Sequence, residues 1–232
     1  MSSVQKLGGI AGLLTVISII LFGIVVPSAI AGQRISGTLE ISQILSYYNH
    51  PSLIGTFWAI GPFVFFFLLF ILGIYHTLRD NVSPVTRLLL LAAVLAVVIE
   101  VPLLITQMSL QWTLVTIAGQ HATATDLATR TSLETAGLVV FRFWDILYNS
   151  LLYWTEAAYL IFFSIVFLKT RFFAHWIGWL SLVTGAYQIF NTTAIPLGIP
   201  DTLTLPGNIL FMVWFFAVSI SLLRAGAKIP AT

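Results

Sequence analysis

The chain contains no cysteine among its 232 residues, and charged residues are scarce, at 8% of the composition. The absence of cysteine excludes disulfides, thiolate metal sites, cysteine nucleophiles and cysteine-ligated clusters. Soluble globular chains have about 25% charged residues, which cover their water-facing surface. Since hydrophobic residues make up 59% of this chain, its outer surface is expected to face lipid. We therefore predict a membrane protein whose main partner is the lipid bilayer.

Residues that several membrane activities need are also missing. The four histidines, at positions 50, 76, 121 and 175, fall at the ends of apolar segments or in loops, so haem held by two histidines between helices is not expected. No lysine lies inside an apolar segment, which excludes a retinal Schiff base. The sequence also lacks a Gly-x-Ser-x-Gly elbow, an HExxH zinc motif, a paired-aspartate magnesium motif and a glycine-rich phosphate loop. We expect no metal site and no cofactor, and an enzyme is the least favoured class of function.

Six apolar segments are long enough to cross a hydrocarbon core of about 30 Å as helices. They lie near residues 8–31, 53–77, 87–108, 143–168, 175–197 and 207–225. The first follows Lys6 and precedes Ala29-Ile30-Ala31, so residues 1–31 also resemble a cleavable signal peptide. Its apolar run of about 20 residues is longer than a signal core, which favours a retained first span. The predicted fold class is all-α, a single polytopic membrane helix bundle over residues 1–232.

The basic residues predict that both termini lie in the cytoplasm. Short cytoplasmic loops of membrane proteins are enriched in lysine and arginine. With the N-terminus inside, seven of the ten basic residues fall on the cytoplasmic side, namely Lys6, Arg79, Arg87, Lys169, Arg171, Arg224 and Lys228, and three fall outside, namely Arg34, Arg130 and Arg142. Five or seven spans would scramble this distribution, so six are predicted. Because these residues are orientation signals, the pI near 9.0 does not indicate nucleic-acid binding.

Two segments outside the predicted spans are expected to be helical. Residues 34–50 carry apolar side chains at helical spacing among polar ones, which predicts a short amphipathic helix at the outer membrane interface. The third and fourth spans continue beyond the membrane, with Asp126 as the N-cap of the returning helix. We expect these extensions to form a hairpin that stands about 10–16 Å above the outer surface and offers a docking place for a protein partner.

Two glutamates lie deep inside the predicted bilayer, where ionisable residues are costly and mark a function or a specific pairing. Glu100 is twelve residues beyond Leu88, and Glu156 is twelve residues before Leu168, so both are about 18 Å deep at 1.5 Å per residue. Consecutive helices are usually neighbours, so we expect the two carboxyl groups to face each other. Gln188 of the fifth span reaches the same depth.

A polar stripe on the fourth span leads outward from this pair. Its members are spaced by three and four residues and would share one helix face: Arg142, Asp145, Asn149, Tyr153 and Glu156. Gln107 and Gln111 of the third span fall at the heights of Asn149 and Asp145. The pattern predicts a polar cleft that opens to the outside and ends at the glutamates. Arg142 and Asp145, three residues apart, are predicted to form a structural ion pair.

The glutamate pair leaves several interpretations open. Two carboxyls in a low-dielectric site cannot both ionise easily, so one would hold a proton, which suits proton coupling or binding of a cation. Alternatively, the protonated carboxyls bond to each other or to Gln188 and hold the bundle together, or one of them faces lipid. The leading hypothesis is binding of a proton, cation or small amphiphile by Glu100, Glu156 and Gln188, with Asn149, Gln107 and Asp145 along the entry path. The rival is a non-catalytic structural or accessory subunit whose outer hairpin docks a partner.

Two cytoplasmic motifs resemble a small bacterial six-helix inner-membrane family of unknown function. One is Ile-Tyr-His-Thr-Leu-Arg at residues 74–79, and the other is the basic turn followed by Trp-x-Gly-Trp-Leu at residues 171–180. The resemblance implies a protein of the bacterial cytoplasmic membrane without an assigned activity, and it transfers no site residue.

Overall fold

The computed structural model describes residues 3–20, 40–49, 51–194, 197 and 201–225, with the side chains of 51–61, 201, 202, 204 and 225 excepted. Within these ranges the chain forms eight α-helices, one π-helical turn and no strand. The helices are α1 (Ser3–Ile20), α2 (Ile41–Tyr48), α3 (Pro51–Leu78), α4 (Pro84–Thr123), α5 (Leu127–Ile146), α6 (Tyr153–Lys169), α7 (His175–Ala194) and α8 (Asp201–Ala225). The π-helical turn, Leu147–Leu152, joins α5 to α6 without a break.

Four helical stretches among the described residues are long and apolar enough to cross a membrane. They are Ser3–Ile20, Pro84–Thr123, Leu127–Lys169 and Leu205–Arg224, and Pro62–Leu78 of α3 is apolar but shorter. α7 has 20 residues but is less apolar, because it carries polar side chains that are buried inside the protein. The predicted all-helical membrane protein is confirmed at this level, whereas the count of six spans and the orientation of the termini stay predictions.

Within the described residues each predicted span is helical except at Leu197, which lies in a turn at the end of the fifth span. Residues 21–31 of the first span and 195–196 of the fifth lie outside the described residues. α4 has 40 residues, and the continuous stretch from α5 to α6 has 43. At 1.5 Å per residue each is about 60 Å long, twice the hydrocarbon thickness of about 30 Å. The two pack against each other as a hairpin. How far the hairpin stands above a bilayer stays a prediction.

Side-chain caps begin both arms of this hairpin. The Ser83 hydroxyl accepts a 3.3 Å bond from the Thr86 N–H, and Pro84 occupies the first turn of α4, where no backbone donor is needed. Asp126 accepts a 2.8 Å bond from the Thr129 N–H at the start of α5, so the predicted N-cap is confirmed. These caps satisfy backbone donors that the first turn of each helix leaves without partners.

The bundle is packed around aromatic rings from α3, α6 and α8. Phe67, Phe70, Tyr159, Phe163 and Phe215 are at most 1% exposed. α1 packs against α3 and α8, and its approach to α3 depends on two glycines, because a Cβ atom on Gly8 would lie 2.6 Å from the Cα of Gly73. This aromatic core belongs to the same helix bundle as the polar residues of α4, α6 and α7.

Of the amphipathic helix predicted over residues 34–50, the structure describes residues 40–49, which are helical over Ile41–Tyr48. The apolar face of this helix is covered by protein. Ile44 and Leu45 of α2 are buried against Leu114 of α4 and Phe141 of α5. The expectation that this face rests on the membrane is therefore corrected. The long hairpin arms offer α2 an apolar surface of their own, and burying these side chains there removes them from water.

Candidate functional site

Glu100 and Glu156 are brought together where α4 packs against α6. Glu100 is only 2% exposed, and the two carboxyl groups are close enough to interact electrostatically. Their equal depths on two consecutive spans had predicted that the carboxyl groups face each other. Isolated buried charges are strongly disfavoured, whereas a carboxyl that carries a proton is neutral. The arrangement can therefore hold a proton on one of two interacting carboxyl groups.

α7 supplies an amide donor to this pair. Gln188 Nε2 donates a 2.7 Å hydrogen bond to Glu156 Oε2, and Gln188 Oε1 accepts a 3.1 Å bond from Asn191 Nδ2. Gln188 and Asn191 are both 0% exposed, so these amides are oriented by protein rather than by bulk water. The predicted neighbour Gln188 is thus in direct contact with Glu156, and Asn191 extends the hydrogen-bond chain by one residue.

α8 completes the surroundings of the amides. A Cβ atom on Gly207 would lie 2.9 Å from Asn191 Nδ2 and 2.9 Å from Tyr187 Cδ1, so a side chain at this position would have to displace these neighbours. The next residue, Asn208, forms a side-chain hydrogen bond with Tyr153 of α6. No sequence pattern had singled out Gly207 or Asn208, because their role depends on how α8 packs against α7.

Three tyrosines surround the carboxyl groups. The side chains of Tyr148 and Tyr153 are hydrogen-bonded to each other, and both interact electrostatically with Glu156. Tyr159 is 0% exposed, interacts with both glutamates, and its hydroxyl has no hydrogen-bond partner in the described part of the chain. Tyr153 belongs to the predicted stripe, whereas Tyr148 and Tyr159 were missed. The spacing of three residues between Glu156 and Tyr159 was the available signal for the latter.

The pair also contains an acceptor without a donor. Glu100 Oε2 is buried and has no hydrogen-bond partner among the described residues. Leaving such an oxygen ionised costs far more than leaving it protonated, because burial penalises an unpaired charge. With Tyr159 nearby as an unused donor, the site has unsatisfied hydrogen-bonding capacity, which is unusual in a protein interior.

Toward the outer end, Asp145 is held by an amide and not by Arg142. Asp145 Oδ1 accepts a 2.5 Å bond from Asn149 Nδ2, while Arg142 is exposed. No ion pair joins Arg142 to Asp145, both of which the structure describes, so that prediction is wrong. Exposed ion pairs contribute little in water, and the amide one turn further along gives Asp145 a closer partner.

The polar stripe also does not lie on one straight helix face. Arg142 and Asp145 precede the π-helical turn Leu147–Leu152, whereas Tyr153 and Glu156 come after it. The wider turn shifts the register of Tyr153 and Glu156 relative to a regular α-helix, whose residues are about 100° apart. The outer members are accordingly exposed or half-buried, and Tyr153 is buried.

The outer end of the predicted cleft is covered by α2. Gln107 and Gln111 are both buried on α4, as their place beside the stripe suggested, and Gln111 forms a side-chain hydrogen bond with Tyr48 of α2. The predicted opening to the outside is therefore not found at Gln111. The short helix packs there because the hairpin arms extend past the stripe.

The titratable side chains do not gather into a metal centre in the ranges that the structure describes. No three His, Cys, Asp or Glu side chains there are grouped closely enough to hold a metal ion. Glu100 and Glu156 supply two carboxylates, and the neighbours from α7 are amides. These groups are suited to binding a proton or to hydrogen bonding with a donor group of a ligand.

Comparison of the chain with protein-family models, with curated proteins and with solved structures gives no match.

Proposed function

We propose that the protein binds a proton at the Glu100–Glu156 pair and exchanges it with water, as an integral membrane bundle of six spans with both termini in the cytoplasm. The observation that carries the proposal is the meeting of the buried Glu100 carboxyl with the half-buried Glu156 carboxyl, which accepts a hydrogen bond from the Gln188 amide. Two carboxyls that share one proton form a site that is neither fully charged nor fully neutral. Such a site can couple proton binding to a change in the arrangement of the helices.

The six-span arrangement is supported by two further observations. α3 and α7 are helices of 28 and 20 residues, long enough for about 42 and 30 Å at 1.5 Å per residue. Both pack within the same bundle as the four candidate spans. The polar side chains that make α7 less apolar are turned into the protein, so its outer surface need not be polar. The bias of basic residues supports a cytoplasmic N-terminus.

Burial favours a proton over a metal ion or an amphiphile as the ligand. Glu100 is 2% exposed and Gln188 0% exposed. Tyr159, which interacts with both glutamates, is itself packed against the rings of Phe67 and Trp214. A proton needs no cavity and no shell of ligands, whereas Mg²⁺ or Ca²⁺ takes at least six oxygens. The amide and phenol groups around the pair suit hydrogen bonding to a carboxyl in either protonation state.

The test is an infrared titration of the purified protein in lipid nanodiscs, which detects the C=O stretch of protonated carboxyl groups. We expect a buried carboxyl band that is present near neutral pH, titrates reversibly and disappears in the double variant Glu100→Gln, Glu156→Gln. Asp80→Asn is the control, because the side chain of Asp80 is 72% exposed. A band that persists in the double variant would overturn the assignment. A band that does not titrate between about pH 5 and 9 would support purely structural glutamates instead.

A second candidate function, docking of a protein partner at the outer hairpin, is favoured by apolar side chains on its surface. Leu127 is 80% exposed and Val139 65% exposed. Serine substitutions at both positions, compared with the glutamate double variant, would separate the two functions. Loss of a chemically cross-linked complex in native membranes only with the serine variant would support docking. Equal cross-linking in both variants would count against it.

A further inference from the structure

We propose that Tyr148 and Tyr153 form a relay of two hydroxyl groups that carries protons between the outer half of the bundle and Glu156. The inference rests on the proposed function, since it assigns the route by which the glutamate pair exchanges its proton. It also gives a role to the π-helical turn Leu147–Leu152, which the spacing of residues in the sequence did not predict.

The π-helical turn is what brings the two hydroxyls together. Tyr148 and Tyr153 are five residues apart, and in a regular α-helix such residues point about 140° away from each other, because successive residues are rotated by about 100°. In a π turn the backbone bonds run from residue i to i+5, which places these positions nearly one above the other. The ring centroids are accordingly 5.8 Å apart and the side chains are hydrogen-bonded.

Neighbouring side chains hold the pair in place. Tyr153 is 5% exposed and forms a hydrogen bond with Asn208 of α8. The ring of Tyr148 is stacked on Trp144 with centroids 5.3 Å apart and an interplanar angle of 7°. Both tyrosines interact electrostatically with Glu156. The relay therefore has a defined inner end at the carboxyl and an outer end in the half-buried part of the π-helical turn, next to Asn149.

A phenol hydroxyl is suited to this step because it can donate one hydrogen bond while it accepts another. As Glu156 takes the proton of Tyr153, directly or through one water, the O–H bond of Tyr153 breaks and the carboxyl O–H bond forms. Tyr153 takes the proton of Tyr148, and Tyr148 takes one from hydronium on the outer side. Each broken O–H bond is replaced, so neither tyrosine changes its charge. Phenylalanine at either position keeps the aromatic ring but lacks the hydroxyl group, so it interrupts the relay.

The other groups around Glu156 differ from the relay in chemistry or in position. α4 contributes the carboxyl of Glu100, and α6 contributes the phenol of Tyr159, which lies three residues further toward Lys169. α7 and α8 contribute the neutral amides of Gln188, Asn191 and Asn208. On the preceding part of the same helix, Asp145 is bonded to Asn149. Tyr159 is thus the one phenol on the opposite side of Glu156 along α6.

The experiment is a pH jump applied to the outer face of oriented proteoliposomes, followed by time-resolved infrared detection of the glutamate C=O band. We expect Tyr148→Phe and Tyr153→Phe to slow the band change on the order of a hundredfold, the lower end of what a positioned proton-transfer group contributes. The amplitude at equilibrium should stay that of the wild type. The double variant should be no slower than either single variant, because both residues serve one route.

Tyr187→Phe is the matched control for specificity. It removes a phenol whose hydroxyl donates a 3.0 Å bond to the Leu203 carbonyl. This variant should not slow exchange from the outer face. If 3-fluorotyrosine at position 153, which keeps the hydroxyl but makes it more acidic, alters the rate, the relay is supported even where phenylalanine impairs folding.

The outcomes separate this inference from the proposed function. A titrating band that responds at the wild-type rate in Tyr148→Phe and Tyr153→Phe overturns the relay and leaves the proton site intact. A rate equally slowed by Tyr187→Phe also overturns it, since the effect would then be general. Absence of a titrating glutamate band in the wild type overturns the proposed function and the relay with it.

Discussion

Gln188 Nε2 donates its hydrogen bond to Glu156 Oε2 at 2.7 Å, across the contact between α6 and α7. The bond from Asn191 to Gln188 Oε1 fixes which end of the amide faces the carboxyl. Glu156 therefore has a donor that stabilises its charged form, whereas Glu100 Oε2 has none among the described residues. When one proton is shared by the pair, we expect it to reside on Glu100, because a hydrogen bond to a charged acceptor is stronger than one to a neutral acceptor.

Replacement of Gln188 by leucine should destabilise the protein and disturb the pair. The change removes the hydrogen-bond donor of the half-buried Glu156 carboxyl, which costs about 1–3 kcal/mol. The measurement is the thermal unfolding midpoint in a mild detergent, together with the infrared carboxyl band. Gln120→Leu is the control, because Gln120 is an exposed residue of α4. An equal shift of the midpoint in both variants would show that the 2.7 Å bond contributes nothing specific.

Gly207 and Gly119 provide a matched pair of helix glycines with opposite expected effects. Alanine at 207 would bring a Cβ atom to 2.9 Å from Asn191 Nδ2 and Tyr187 Cδ1, whereas nothing lies within 4 Å of a Cβ atom at 119. Gly119→Ala should stabilise the protein by about 0.5–1 kcal/mol, because alanine loses less backbone entropy in a helix. Gly207→Ala should lower the unfolding midpoint and shift the glutamate band. The reverse order of midpoints would contradict the packing of α8 on α7.

The contact between α1 and α3 should tolerate no side chain at Gly8 or Gly73. A Cβ atom on either residue would lie 2.6 Å from the other's Cα, which is far inside van der Waals contact, so the helices would have to separate. We expect Gly8→Val to lower the unfolding midpoint more than Gly119→Val, which carries the same loss of helix propensity without the clash. Cysteines placed at Val4 and Thr77 in each background would report separation as slower disulfide cross-linking. Unchanged cross-linking in Gly8→Val would contradict the close approach.

The glutamate pair could be predicted from the sequence because depth can be obtained by counting residues. Glu100 and Glu156 are equally far from the ends of their apolar segments, and a constant rise per residue converts that count into a height. Gln188 was found in the same way. The helical fold could also be predicted from the sequence. A chain with few charges and long apolar runs has few other ways to form the hydrogen bonds that its backbone needs in lipid.

Other parts of the site depend on tertiary structure, which local patterns do not encode. The π-helical turn at Leu147–Leu152 has no signature in residue spacing, so a strict helical period overlooked Tyr148. Asn208 and Gly207 matter only because α8 packs on α7. The amphipathic pattern of α2 was correct, but a pattern cannot say whether lipid or the hairpin covers the apolar face.

The start of α5 should become less stable in acid because of its N-cap. The backbone N–H of Thr129 donates to the Asp126 carboxylate and lowers the pKa of this exposed group below its ordinary value of 3.8. Because the bond favours the charged form, its stabilisation is complete above the ordinary pKa and is lost as the pH falls through the lowered one. Hydrogen exchange of the backbone around Thr129, corrected for the intrinsic rate, should therefore increase below about pH 4.

Substitutions at Asp126 separate the charge from the cap. Asparagine still accepts the bond from Thr129 but does not titrate, so Asp126→Asn should show protection that is independent of pH in this range. Alanine should remove protection at every pH. The nearby contact between His121 and Glu134, at 3.0 Å, also contains titratable groups, so each measurement is repeated with Glu134→Gln. If Asp126→Asn loses protection in acid as the wild type does, the pH dependence comes from another group, and Asp126 is not its source.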